Sequence, residues 1–269
     1  VIGGEDMNPP EYGSVVITVK PATGYSLTDN AKQDIIDNIL DKHRMLAIKP
    51  RIVDPDYIFV TVDSKVKYNP STAVNTEDSI KDMVLSTIKT YNSNEVEKFD
   101  GILRHSKLVA EIDKTDNAIR SNVTDISLKK RFKPSFGVSE SFTLDYNHGF
   151  EKGSLTSNIF NVKIPAGDPA GTDVKFGVDT ESSSANNTVL NLVLMDTNDV
   201  IQMYNAGTVD HINGIITITG LEYVSILDGT QFINLTVKYT DQDVVPNKTQ
   251  IVSIFPSDIT VTMIKDTTD

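Results

Sequence analysis

The 269 residues are 39% hydrophobic and 23% charged, with no cysteine and no tryptophan. That balance suits a folded globular chain, excludes wholesale disorder and any membrane-spanning run of about 18 apolar residues, and rules out disulfides, thiolate nucleophiles and cysteine-ligated metals. The net charge of −12 sits mostly in the second half: 19 basic and 20 acidic residues precede Pro134, and 6 and 17 follow it, which disfavours nucleic acid and membranes as partners.

Residues 1–13 hold Gly3-Gly4 and Pro9-Pro10 and no apolar period, so they read as a loop. The chain opens on Val1 with no charged and then apolar leader, and is read as an excerpt of a longer protein. Val15, Ile17 and Val19 alternate with Val16, Thr18 and Lys20, a strand pattern that Pro21 ends. Ser26, three residues before Asp29, resembles a capping box with a shorter acid. Ile35, Ile36, Ile39, Leu40, His43 and Leu46 then recur at the spacing of one helix face. Val53 and Tyr57–Val62 predict a longer strand region, interrupted early by Asp54-Pro55 and stopped by Asn69-Pro70. Thr76 caps a second helix, with Glu77 and Asp78 in its positive first turn and Ile80, Val84, Ile88 and Tyr91 as its stripe. Ile102, Leu103, Leu108, Val109 and Ile112 predict a third, shorter helix, and Ile119, Val123, Ile126 and Leu128 a strand over 119–133.

From Pro134 onward no segment has a helical stripe. Phe142–Asp145, Ile159–Ile164, Val174–Val178, Val189–Met195 and Val200–Tyr204 read as short strands, followed by Val209–Ile212, Ile215–Thr219, Phe232–Tyr239, Ile251–Phe255 and Ile259–Ile264. Asn213-Gly214 predicts a hairpin with a type I′ turn, positive φ at both residues, and Asp228-Gly229 a second turn. The fold class is therefore α+β. A small mixed-sheet α/β-sandwich domain, in the order β-α-β-α-α-β, is expected over residues 1–134, and an all-β, sandwich-like domain over residues 135–269.

Residues that carry chemistry are sparse. His43, His105, His148 and His211 share no ligand spacing, and no phosphate-cradling glycine motif or nucleophile elbow occurs. Asp196-Thr197-Asn198-Asp199 and Asp241-Gln242-Asp243 look like calcium-loop fragments but lack the glycine and the distal glutamate, and read as turn acids. Asp54 and Asp56 would serve a hydrolase as an acid–base pair, or else form an ordinary Asp-Pro-Asp turn. Asn-x-Ser/Thr triplets at Asn122, Asn186, Asn234 and Asn247 reflect composition rather than glycan acceptors. The sequence predicts no catalytic site, no cofactor and no metal, hence no enzyme.

Two further features invite an interaction reading. The basic run Lys129, Lys130, Arg131 and Lys133 is either a solvated strand end or an electrostatic latch for the acidic half or an acidic neighbour. Phe132, Phe136 and Phe142 fall within eleven residues, and form either an apolar anchor for a second copy or the filling of a seam between the domains.

The first half also carries a resemblance. Pro10-Glu11-Tyr12-Gly13 running into Val15–Val19, a capped helix, the strand through Ile58–Val62, a second capped helix, and Ser106-x-Leu108-x-x-x-Ile112 before a last strand resemble the baseplate J-like family of contractile tails. With the long β-rich remainder, the chain is most similar to the C-terminal portion of the larger, T4-type wedge members. The likeness covers residues 8–133 by pattern and the rest by overall character. It implies a structural protein of the virion tail baseplate, assembled in the bacterial cytoplasm. Its copies would pair as homodimers and join wedges into a ring around the tail hub, with other wedge subunits as partners and neither nucleic acid nor membrane. The alternative is a carbohydrate- or receptor-binding β module, with Tyr204, Tyr223 and Tyr239 as stacking platforms.

Overall fold

The computed structural model describes residues 1–3, 11–43, 48–164, 171–180, 188–239, 241 and 243–267. Gly4, Pro9-Pro10, Leu46, Asn186 and Gln242, each part of an expectation above, lie outside the described residues. The elements run β1 (Ile2–Gly3), β2 (Ser14–Thr18), α1 (Asp29–Ile35), a wider π turn (Ile36–Leu40), α2 (Asp41–His43) and β3 (Lys49–Val53). β4 (Asp56–Tyr68), α3 (Glu77–Tyr91) with a second π turn (Asn92–Val96), β5 (Leu103–Arg104), α4 (His105–Asp113) and β6 (Ile119–Phe132) follow. Then come β7 (Ser139–Asp145), β8 (Thr156–Ser157), β9 (Phe160–Lys163), β10 (Thr172–Asp179) and β11 (Val189–Met195). β12 (Ile201–Asp210), β13 (Ile215–Ile226), β14 (Ile233–Lys238), β15 (Asp243–Val244) and β16 (Gln250–Lys265) complete the chain, which is mixed α+β and mostly strand.

The N-terminal elements form a small sheet of their own, β1-β2-β3, with the helix as the crossover between parallel β2 and β3. Its helix is capped by Thr28, whose Oγ1 accepts from the Ala31 N–H at 3.3 Å; Ser26 lies outside it, and the Leu27 N–H goes to Asp54 instead. No residue of α1 or α2 is buried, because a three-stranded sheet offers too little surface to cover the stripe.

β4 starts a second sheet, ordered β16-β4-β6-β14-β8, in which only the β16–β4 pairing is parallel. The period-2 alternation of β4 decides its two faces. Ile58, Val60, Val62 and Val66 are fully buried on the face that joins one core with Ile80, Val84 and Ile88 of α3 and Leu108 and Ile112 of α4. Thr76 caps α3 as expected, accepting from Ser79 N–H at 3.3 Å. The third helix is shorter at its start than its apolar spacing suggests: Leu103 and Arg104 leave it to pair with β15.

The remaining strands, β12-β11-β10-β9-β13, close on themselves because β13 pairs with β12 through residues 215–218 and with β9 through residues 222–226. β7 lies along the other edge of β13. The result is a small antiparallel barrel filled by Phe160, Phe176, Leu192, Leu194 and Ile218, rather than two stacked sheets. The hairpin at Asn213-Gly214 is present, but Asp210 pairs with Ile215 around a four-residue loop, and only Gly214 has positive φ, at 73°. Asp210 makes the longer loop favourable by accepting from the Ile212 and Asn213 N–H groups.

The chain crosses residue 134 and later returns. β14 and β16, from the acidic half, are strands of the helix-backed sheet, so a cut at 134 separates sequence but not hydrogen bonding. The sheet also carries a polar tie. Asp56 accepts from Lys130 Nζ at 2.5 Å and Gln250 Nε2 at 2.9 Å, and Gln250 reaches the Asp145 carbonyl at the end of β7 at 3.0 Å. Tyr146 adds a buried bond from its hydroxyl to the Leu235 carbonyl, 2.8 Å.

Candidate functional site

The outer face of the helix-backed sheet is the place where the sequence-level suspects converge. Asp63, Lys65 and Lys67 of β4 are solvated there, but Tyr57 and Phe59 are buried, forming with Ile251, Tyr25 and Phe255 a cluster separate from the main core. Tyr25 lies in the bend between β2 and α1 and meets Tyr57 and Phe59 edge-on, centroids 5.0 and 5.1 Å apart. Burial, then the nearby Glu97 carboxylate, push the Tyr57 hydroxyl up to about 12. A salt bridge from Lys20 to Glu97, 3.2 Å, fastens the same junction.

The basic run lies against this cluster, and each member has its own occupation. Lys129 pairs with Asp258 in the bend of β16, and Lys133 donates to Gln231 Oε1 at 2.9 Å. Lys130 points to the opposite face and ends on Asp56. Arg131 is different. Its guanidinium carbon stands 4.5 Å from the Phe232 ring centroid, 4.6 Å from Phe59, 4.8 Å from Tyr25 and 5.9 Å from Phe255, and it meets no carboxylate or carbonyl among the described residues. Beside it opens a cleft of about 220 Å³, lined by Phe59, Lys129, Arg131, Phe232, Phe255 and Asp258 among others. Burial, and then the Arg131 guanidinium, push Lys129 down to about 8; burial also lowers Arg131 itself. Sequence reasoning located the run but not the cage, since its four rings come from residues 25, 59, 232 and 255.

Phe132 and Phe142 come together, 4.2 Å between centroids, and Tyr223 closes on both at 5.9 and 6.2 Å. That trio fills the seam between helix-backed sheet and barrel. Phe136 stands apart on the connecting loop, 54% exposed. Of the three tyrosines considered as stacking platforms, Tyr223 is buried and Tyr239 is bonded to Asp243 and His148, so Tyr204 alone presents an open ring.

The other candidates are occupied structurally. Asp54 takes Lys32 Nζ at 2.6 Å and the Leu27 N–H at 2.9 Å, and Asp56 takes Lys130 and Gln250, so neither carboxylate faces a reacting group. Asp196 closes its own turn on the Asn198 and Val200 N–H groups, and Asp199 pairs with Lys175 at 2.6 Å. Among the described residues no group of three or more His, Asp or Glu is arranged to hold a metal, and no helix is long and apolar enough to cross a membrane. His105 Nε2 lies 2.7 Å from the Thr124 carbonyl and His211 Nδ1 2.9 Å from that of Thr188.

His148 bears on stability. Its Nε2 lies 2.8 Å from the Val245 carbonyl and 3.1 Å from the Val245 N–H, and its Nδ1 3.2 Å from the Tyr239 hydroxyl, which donates to the Asp243 carbonyl at 2.7 Å. Burial lowers its pKa below 6.5, outweighing the hydrogen bond to the Val245 carbonyl and the charges of Asp241 and Asp145. The folded state therefore binds the proton less well than the unfolded one, and the contribution is fully present above pH 6.5 and lost as pH falls through the folded pKa. Urea midpoints measured between pH 7.5 and 5.5 are expected to fall on acidification, and to fall less in His148→Asn. Equal slopes for the two chains would remove this assignment.

Two stretches of the chain match models of one family. Residues 1–53 match "Baseplate structural protein gp6, C-terminal domain I", and residues 56–131 match "Baseplate structural protein gp6, C-terminal domain III". "Baseplate wedge protein gp6" of Enterobacteria phage T4 is 26% identical over 156 residues. The chain resembles the C-terminal portion of a baseplate wedge protein. The aligned part is 58% of this chain and 23% of that wedge protein, so the chain spans a minor fraction of its relative. The break between the two matched stretches falls at Asp54-Pro55, where the small sheet ends and the helix-backed sheet begins. Bacteriophage, baseplate and structural protein are the descriptions these matches carry.

Proposed function

We propose that the chain is a structural part of a contractile-tail baseplate wedge, which pairs with a second copy and helps to link neighbouring wedges into a ring around the tail hub. The observation that carries this reading is the succession of two baseplate structural models along residues 1–53 and 56–131. The engagement of Asp54 and Asp56 by lysines, and of His105, His148 and His211 by backbone groups, supports a framework role without catalysis. Further wedge subunits are its other partners, and the virion tail baseplate its location, reached after assembly in the host cytoplasm, where a chain without cysteine needs no oxidation.

Of Phe132, Phe136 and Phe142 we assign Phe136 to the pairing surface, because it is exposed next to Val138, likewise 54% exposed, while Phe132 and Phe142 pack against each other. Sedimentation equilibrium over a concentration series tests the reading. The unsubstituted chain is expected to be dimeric, and Phe136→Glu to be monomeric with an unchanged urea midpoint. A monomer at every concentration would sink the pairing. A Phe136→Glu dimer would move the surface elsewhere.

A further inference from the structure

We infer that the cleft at Arg131 receives a carboxylate side chain presented by a second copy of the chain. This rests on the pairing proposed above and names one of its contacts. A half-buried guanidinium commonly spends N–H donors on carboxylates or carbonyls. Arg131 has rings instead, with Phe232 and Phe59 at 4.5 and 4.6 Å and Tyr25 at 4.8 Å. These ring contacts draw on the cation's charge and not on its N–H donors, which meet no acceptor among the described residues.

The cleft that Arg131 lines, about 220 Å³, suits one aspartate or glutamate side chain and is too small for a folded segment. The cleft brings Lys129 and Arg131 together with one carboxylate, Asp258, which Lys129 already holds. Burial pushes both cations below their usual values.

Charge complementarity selects the occupant. Each chain has a net charge of −12, with 6 basic and 17 acidic residues from Pro134 onward, so two copies repel unless cationic ground meets acidic ground. Among the described residues Arg131 combines donors that meet no protein acceptor with a half-buried aromatic setting, where a forked arginine–carboxylate contact is stronger than on an open surface. A second copy brings the acids in excess.

The test measures the dimer dissociation constant by sedimentation equilibrium for the unsubstituted chain, Arg131→Gln and Arg131→Lys, with urea midpoints taken alongside. Arg131→Gln is expected to weaken pairing about tenfold to a hundredfold. Arg131→Lys, which keeps charge and stem but loses the planar fork, is expected to weaken it nearly as much. It carries the test if Arg131→Gln fails to fold. A dimer whose constant ignores both substitutions overturns this inference and leaves the pairing standing. A monomer throughout overturns the pairing and this contact with it. A dimer unaffected by Arg131→Gln that nevertheless loses its grip on another baseplate protein assigns the cleft to that protein and overturns the second copy as its occupant.

Discussion

A chain ended after Lys133 is expected to lose cooperative unfolding, although it keeps 133 of the 269 residues and all of both segments matched by the baseplate models. The helix-backed sheet would shrink to β4 and β6. β16 pairs in parallel with β4 from Gln250↔Asp56 to Lys265↔Tyr68, and β14 flanks β6 from Ile233↔Phe132 to Lys238↔Ser127. Without them both edges of a two-stranded ribbon lie open, and Val252, Ile254, Leu235 and Val237 no longer cover the core beneath α3 and α4. Two strands with one covered face do not hold a domain together. Urea titration followed by circular dichroism should give a broad, shallow change for residues 1–133 and a steep transition for the full chain. A steep transition in the shortened chain, with dispersed amide resonances, would show that residues 1–133 fold alone.

Leu128→Ala is expected to cost about 3 kcal/mol, within the roughly 2–5 kcal/mol range for emptying a buried leucine site. Leu128 is fully buried in the strand between the two halves, facing Val60 of β4 on one side and Val237 of β14 on the other, both fully buried as well. These strands are held by their hydrogen-bond ladders, so the cavity has little means of collapse. Val123 on the same strand is 57% exposed, and Val123→Ala should stay within about 0.5 kcal/mol. Equal shifts of the urea midpoint in the two variants would contradict the placement of Leu128.

Much of this architecture is local and therefore legible. The alternation Tyr57-Ile58-Phe59-Val60-Thr61-Val62 names β4, and the Ile80, Val84, Ile88 and Tyr91 spacing names α3 together with its buried face. Val189–Met195 emerges as a strand with those bounds. Pairing over long sequence separation leaves no such trace. Nothing near Ile251 or Ile259 signals that β16 lies beside β4, nearly 200 residues earlier, and both runs belong to one strand bent between Ile254 and Ile259. The division at Asp54-Pro55 is written in plain turn chemistry, yet it reads equally well as an interruption within one sheet. The candidate site shows the same limit. The basic run is visible as four cations, but which of them is paired, buried or caged depends on Asp56, Asp258 and rings brought in from elsewhere.

The parallel pairing of β16 with β4 also sets an order of events during synthesis. Every strand of the barrel is made between Ser139 and Ile226, so the barrel can close while the ribosome is still at work. The helix-backed sheet cannot: β4 waits for a neighbour translated nearly 200 residues later, about 10–40 s at cellular elongation rates. During that interval Tyr57, Phe59 and the inner valines of β4 are left without their final cover, and the nascent chain is at its most prone to misassociation. Slowing translation between Ile226 and Gln250 would lengthen that exposure, whereas a holding chaperone acting on β4 would shorten its consequences.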